Sequence, residues 1–130
     1  MGKAIRVLVV DDHKPWRAWL RSKLGASDRF QIVEEAGDGH EALAKAQKLS
    51  PDLVLLDIGM PGLSGIETAS LLRVHVPSAK IIFLSQTDDS DLVRAALNDG
   101  ASGFVLKAEA EIDLLPSIKA VFEGDTSASG

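Results

Sequence analysis

Apolar residues in this chain gather into five short blocks: Ala4–Val10, Phe30–Glu35, Asp52–Leu56, Lys80–Leu84 and Gly103–Leu106. Rich in Val, Ile, Leu and Phe, each block reads as a β-strand. Between the blocks the apolar positions switch to helical spacing, as in Trp16, Leu20 and Leu24, in Leu43, Ala46 and Leu49, and in Leu92, Ala95 and Ala96. Asp38 with Glu41 and Ser64 with Glu67 stand at capping-box spacing, where side chains satisfy the free amides of a first helical turn. Gly25, Gly100 and Gly124 follow helical stretches, and Ser50-Pro51 and Val76-Pro77 close others.

Five repeats of strand then helix predict a parallel sheet, because each return to the sheet needs a crossover, and crossovers are right-handed. The fold class is therefore α/β, a doubly wound sandwich with five helices and strand order 2-1-3-4-5. The nearly all-apolar runs Val7–Val10 and Leu53–Leu56 suit central strands covered on both faces, whereas Phe30–Glu35 carries more polar residues and suits a position nearer an edge. Residues 1–124 form one domain in this reading. Residues 125–130, small and Gly/Ser-rich, are a linker stub or flexible tail.

Composition narrows the function. A chain of 130 residues with 45% hydrophobic and 25% charged residues is a globular protein of one domain. No apolar run nears the roughly 20 residues that cross a bilayer, and Met1–Arg6 lacks a secretory leader's apolar stretch, so a cytoplasmic location is the expectation. The absence of cysteine excludes disulfides, thiol catalysis and cysteine zinc sites, and the three histidines lack metal-ligand spacing. A net charge of −5 argues against nucleic-acid binding by these residues and fits a cation site.

Doubly wound sheets bind ligands beyond the carboxyl ends of their strands, where strand order reverses, here between the first and third strands. Asp11 and Asp12 follow the first strand and Asp57 the third, so acids about 45 positions apart meet there. At about 4 Å and an effective dielectric of 20, two unit charges repel by roughly 4 kcal/mol, so such a cluster requires a counter-charge. An all-oxygen ligand set with room for water suits magnesium better than zinc. Helix capping alone explains Asp11 or Asp12. It does not explain Asp57, because the turn Ile58-Gly59-Met60-Pro61-Gly62 separates it from a helix that Ser64 caps. Ser85 and Lys107, at the ends of the fourth and fifth strands, face the same pocket in this topology, offering a hydroxyl donor and a positive charge.

Three segments carry a family resemblance: Val-Leu-Val-Val-Asp-Asp-His at 7–13, the run from Pro51 to Gly65, and Gly-Ala-Ser-Gly-Phe-Val-Leu-Lys at 100–107. Together they resemble the receiver domain of two-component response regulators over about residues 3–123, within the NarL/FixJ-like subfamily that precedes a LuxR-type DNA-binding output domain. The resemblance implies a flavodoxin-like fold and a phosphorylation-controlled switch, not a conventional enzyme. It implies that Asp57 accepts a phosphoryl group from a histidine kinase or phosphotransfer protein. Asp11, Asp12, Asp57 and the Gly59 backbone carbonyl would hold Mg2+, with Lys107 as counter-charge. Ser85 and Phe104 would be the switch residues, and self-dephosphorylation would be slow. An output domain would follow a chain that ends at Gly130, where a linker begins.

Departures from the family pattern sit beside the site. Ala108 replaces the proline that often follows the lysine, so no cis peptide is required there. Gln86 stands where a small residue is usual and is expected to affect phosphorylation rate or phosphoryl lifetime. Gly59 and Thr87 occupy positions where the family tunes hydrolysis. Trp16 and Trp19 cannot both sit at the centre of one apolar stripe, although a broad buried face on the first helix would cover much of each ring; Trp16 suits core packing, and a partly exposed Trp19 is a candidate for contact with a partner or a second copy in a homodimer. His13 reads as a helix-entry residue, and Asp88, Asp89 and Asp91 as helix N-terminal acids. Pro116 suggests a helix starting just before it, or a kink. A haloacid-dehalogenase-like phosphohydrolase would need a second acid where Gly59 stands, and a flavodoxin-like flavin carrier a phosphate loop where Asp11-Asp12-His13 stands. A degenerate, non-phosphorylated receiver would not retain the complete set Asp11, Asp12, Asp57, Ser85 and Lys107.

Overall fold

A computed structural model of the chain describes residues 3–87, 89–98 and 100–123. Five strands alternate with five helices: β1 (Ile5–Val10), α1 (Lys14–Gly25), β2 (Phe30–Ala36), α2 (Gly39–Leu49), β3 (Leu53–Asp57), α3 (Gly65–His75), β4 (Lys80–Ser85), α4 (Ser90–Asn98), β5 (Gly103–Leu106) and α5 (Ala110–Phe122). All strand pairs are parallel, as the strand–helix repeats predict, and the order is the expected β2-β1-β3-β4-β5. Central β1 and β3 are the apolar runs, and β2 is the polar edge strand. Val33 is an extra residue in β2: Val7 pairs with Ile32 and Leu8 with Glu34, so the register slips between them.

Strand alternation divides the core into two layers. Leu8, Val10, Val54, Leu56, Ile81 and Phe83 point to one face, where Ala42 and Ala46 of α2, Ala69 and Leu72 of α3 and Ala96 of α4 cover them. Val7, Val9, Leu53, Leu55, Ile82 and Leu84 point to the other, against Leu20 and Leu24 of α1 and Leu114, Ile118 and Val121 of α5. Each such fully buried side chain is worth about 1.5–3 kcal/mol of transfer free energy, so the sheet that carries the site is covered on both faces by the core that stabilises the fold.

The helix boundaries follow the local chemistry. Ser64 and Glu67 form a complete capping box at α3. Asp38 accepts from the Glu41 amide at α2, but the Glu41 carboxylate turns to the Gly37 amide, so that box is only half formed. The Asp89 carboxylate accepts from the amides of Asp91 and Leu92, in keeping with a helix-entry role; Asp88 lies outside the described residues, as do Gly124 and the 125–130 tail. Ser50 ends α2 with φ +48°, and Gly100 follows α4 with φ +90°. One expectation is corrected. The last helix does not start just before Pro116 but six residues earlier, at Ala110, and runs through the proline.

Candidate functional site

The carboxyl ends of β1, β3, β4 and β5 converge on one cleft of about 450 Å³, lined among others by Asp11, Asp12, Asp57, Gly59, Ser85, Gln86 and Lys107. Asp57 is the last residue of β3 and not the first after it, so its backbone is fixed by the sheet. Asp11, Asp12 and Asp57 each place a carboxylate oxygen within 4.8 Å of the others, the Asp12 side being exposed and the other two residues buried.

Close approach of α3 shapes the floor. A Cβ on Gly65 would collide with the Asp57 carbonyl, so only glycine lets the helix start directly beneath the strand end. The turn between them carries the Gly59 amide to 3.2 Å from Asp57 Oδ1, to which it donates. The run from Pro51 to Gly65 thus contained a functional glycine whose role only tertiary contact reveals.

Lys107 is the cation of the cleft. It follows β5 at the start of a single 3-10 turn, Lys107–Glu109, and no described peptide bond is cis. Its Nζ donates to Asp11 Oδ2 at 2.6 Å and lies 3.7 Å from Asp57 Oδ1. The nearer partner is therefore Asp11, and Asp57 receives only part of the charge. Burial pushes the Asp57 carboxyl above its ordinary pKa, the negative charge of Asp11 adds to this, Lys107 and the Gly59 amide oppose it, and Asp12 raises it slightly further. Asp11 is held from both sides: Arg17 donates to its carbonyl, and its other carboxylate oxygen accepts from the His13 amide at 2.8 Å.

Ser85 is buried at the end of β4, beside Asp57 in the sheet order. Its hydroxyl donates to the Thr87 carbonyl at 2.9 Å and accepts from the Thr87 amide at 3.1 Å, closing a small ring within its own loop. Phe104 on β5 is half-buried and packs against the layer that holds α4. Gln86 is exposed at the cleft rim. Trp16 and Trp19 are both half-buried against the layer of α1 and α5 and stack on each other, centroids 4.9 Å apart, so the first helix has the broad buried face that covers part of each ring and leaves Trp19 partly exposed.

Among the described residues no helix is long and apolar enough to cross a membrane. The family model for the response regulator receiver domain matches residues 7–119. The transcriptional activator protein ExaE of Pseudomonas putida is 41% identical over 118 residues, covering 91% of this chain and 55% of that protein. The signal receiver domain of the response regulator NarL from Mycobacterium tuberculosis superposes with a TM-score of 0.88 at 32% identity, covering 95% of this chain and 99% of that one. The isolated receiver domain of RcsB from Salmonella enterica serovar Typhimurium, solved with the phosphomimetic BeF3−, gives 0.88 at 27% identity over 95% and 91%. The chain spans about half the length of the curated relatives it matches, and those relatives include transcription regulators. With its strand order, its acid cluster and its match over residues 7–119, the chain belongs to the response regulator receiver domain family, alongside NarL- and LuxR-type regulators.

Proposed function

We propose that this receiver takes a phosphoryl group from a histidine kinase or phosphotransfer protein onto Asp57, in a reaction that uses Mg2+, and passes the change to an output domain or partner. The observation that carries the reading is the unbalanced charge around Asp57: three convergent carboxylates share one ammonium, and that ammonium lies closer to Asp11. Burial and the charge of Asp11 hold the Asp57 carboxyl above its ordinary pKa, in keeping with a cluster short of positive charge that a cation would relieve.

The three carboxylate oxygens of Asp11, Asp12 and Asp57 fit magnesium, and the Gly59 backbone carbonyl would be a fourth ligand. Bound there, the ion would offset the carboxylate charges and the charge on the phosphoryl oxygens. Asp57 acts as nucleophile: one carboxylate oxygen bonds to phosphorus as the phosphorus–nitrogen bond to the donor histidine breaks. Lys107 supplies a positive charge within reach of Asp57, and moving from Asp11 toward the phosphoryl oxygens is a short step for its ammonium. Ser85 exchanges its two bonds to Thr87 for one to the phosphoryl group, and Phe104 turns inward, altering the face around α4 and β5. Gln86 at the rim modulates the rate of transfer or of hydrolysis.

A phosphohydrolase mechanism lacks its second acid, since Gly59 occupies that position. Incubation with magnesium and acetyl phosphate, followed by intact mass, tests the reading. One added phosphoryl group that disappears in Asp57→Ala is expected; no gain, or a gain that survives the substitution, refutes it. Gln86→Ala is expected to change uptake or decay, and unchanged values of both would remove its role. An output domain that binds DNA, as the transcriptional relatives suggest, is the expected reader of the switch, in a homodimer of the longer protein.

A further inference from the structure

Lysine has four rotatable bonds, so an ammonium that must serve an adjacent carboxylate needs to be held in place. Two contacts of Lys107 are ionic, to Asp11 at 2.6 Å and Asp57 at 3.7 Å. A third is not: its Nζ lies over the Trp16 ring, 5.1 Å from the centroid, within the range of a cation–π interaction. Trp16 stands on α1 three residues before Trp19, and the two rings stack at an interplanar angle of 19°. The Trp16 indole N–H is buried with no hydrogen-bond partner among the described residues. No hydrogen bond among the described residues orients the ring, which meets Lys107 and Trp19 and packs against the layer of α1 and α5. Beyond it lies an open pocket between α1 and the Lys107–Glu109 turn, bordered by Pro15, Trp19, Ala108 and Glu111, into which the lysine would otherwise be free to swing.

We propose that Trp16 is a positioning residue for Lys107: its indole face, backed by Trp19, holds the ammonium in the gap between Asp11 and Asp57. The lysine's part in phosphoryl transfer rests on the function proposed above, whereas its placement by Trp16 does not. The bland alternative is that Trp16 merely fills space against the α1–α5 layer. The two separate cleanly, because leucine keeps apolar bulk without a π surface, and phenylalanine keeps a weaker π surface.

The test uses the 130-residue chain. In a proton–carbon correlation spectrum without metal or phosphoryl donor, the Lys107 ε-methylene protons, assigned by their loss in Lys107→Met, are expected to be shielded by the indole ring current. The shielding is expected to shrink in Trp16→Phe and vanish in Trp16→Leu. With magnesium and acetyl phosphate, Trp16→Leu is expected to slow phosphoryl uptake by about 3- to 10-fold, and phenylalanine to restore it to within about 2-fold. Trp16→Met supplies the same contrast should Trp16→Leu fail to fold. Unshielded Lys107 protons in the wild-type chain overturn the proposal, as does a wild-type rate in Trp16→Leu or a Trp16→Phe rate as slow as that of leucine. Failure of the wild-type chain to take a phosphoryl group refutes the proposed function instead, and the shielding still decides what Trp16 does.

Discussion

At the β2 edge, Glu34, Glu35 and Glu41 meet Arg17, Arg21 and Lys45; at the ends of β1 and β3, Asp11, Asp12 and Asp57 meet Lys107. The first cluster is balanced. Glu35 is bound by Arg17 at 3.1 Å and by Arg21, and Lys45 lies 2.9 Å from Glu41 and 3.4 Å from Glu34. Glu34 and Glu41 are held below the ordinary carboxylate pKa, chiefly by backbone amides of Glu35 and Gly37 and then by Lys45. The second cluster has one base for three acids, and Asp57 is held above its ordinary value. Both places gather three acids, yet only one has negative charge left over. An acid cluster that the fold has already neutralised is an ion-pair network; one it has left short of positive charge is where an external cation belongs.

Changes at the unbalanced cluster should alter chemistry, and changes at the balanced one only stability. Asp57→Ala is expected to abolish phosphoryl uptake from acetyl phosphate, a loss of at least about 100-fold by intact mass; retained uptake would locate the acceptor elsewhere. Lys107→Ala comes next, with uptake slowed by roughly 10- to 100-fold, the scale of removing one preorganised charge from a transfer site. A time course indistinguishable from wild type would reduce Lys107 to a neutraliser of Asp11.

Stability separates the clusters in sign. Because the folded Asp57 pKa lies above its unfolded value, the folded chain binds more protons, and stability is lost as pH rises from about 3.8 through the folded pKa. Glu34 and Glu41 act oppositely: their contribution is present above about 4.5 and lost as pH falls through their depressed folded pKa values. In metal-free buffer at neutral pH, Asp57→Asn is therefore expected to raise Tm by roughly 3 °C. A fall in Tm in a thermal melt would break the comparison. The smallest effect is expected from Lys45→Met, about 0.5–1 kcal/mol of destabilisation by urea titration, weakened by salt, with phosphoryl uptake unchanged.

Much of this layout was legible in the sequence because it is local. The strand blocks, the Ser64–Glu67 box and the carboxyl-end positions of Asp11, Asp57, Ser85 and Lys107 follow from period and punctuation, the crossover rule makes the strands parallel, and the contrast between all-apolar and polar blocks accommodates the strand order. What escaped was set by contacts between distant segments. Lys107 lies closer to Asp11 than to Asp57, Ser85 is engaged with Thr87, and Gly65 is required by the carbonyl it passes. The stacking of Trp16 on Trp19 likewise depends on how two turns of α1 meet the rest of the fold and not on helical spacing alone. Pro116 misled for a physical reason: proline weakens a helix interior, but Leu114, Ser117, Ile118 and Val121, buried against the sheet, keep α5 in place around it.

The pocket residues come from the ends of four different strands, and between Asp11 and Lys107 they span 96 positions of the chain. No contiguous fragment of the sheet contains the site. A chain with β5 undocked has no counter-charge for Asp57, and one with β1 undocked lacks two of its three acids. The assembled cleft is thus a property of the finished sheet. Because Lys107 lies 96 positions after Asp11, the cleft has its ammonium only once the chain has been made past residue 107.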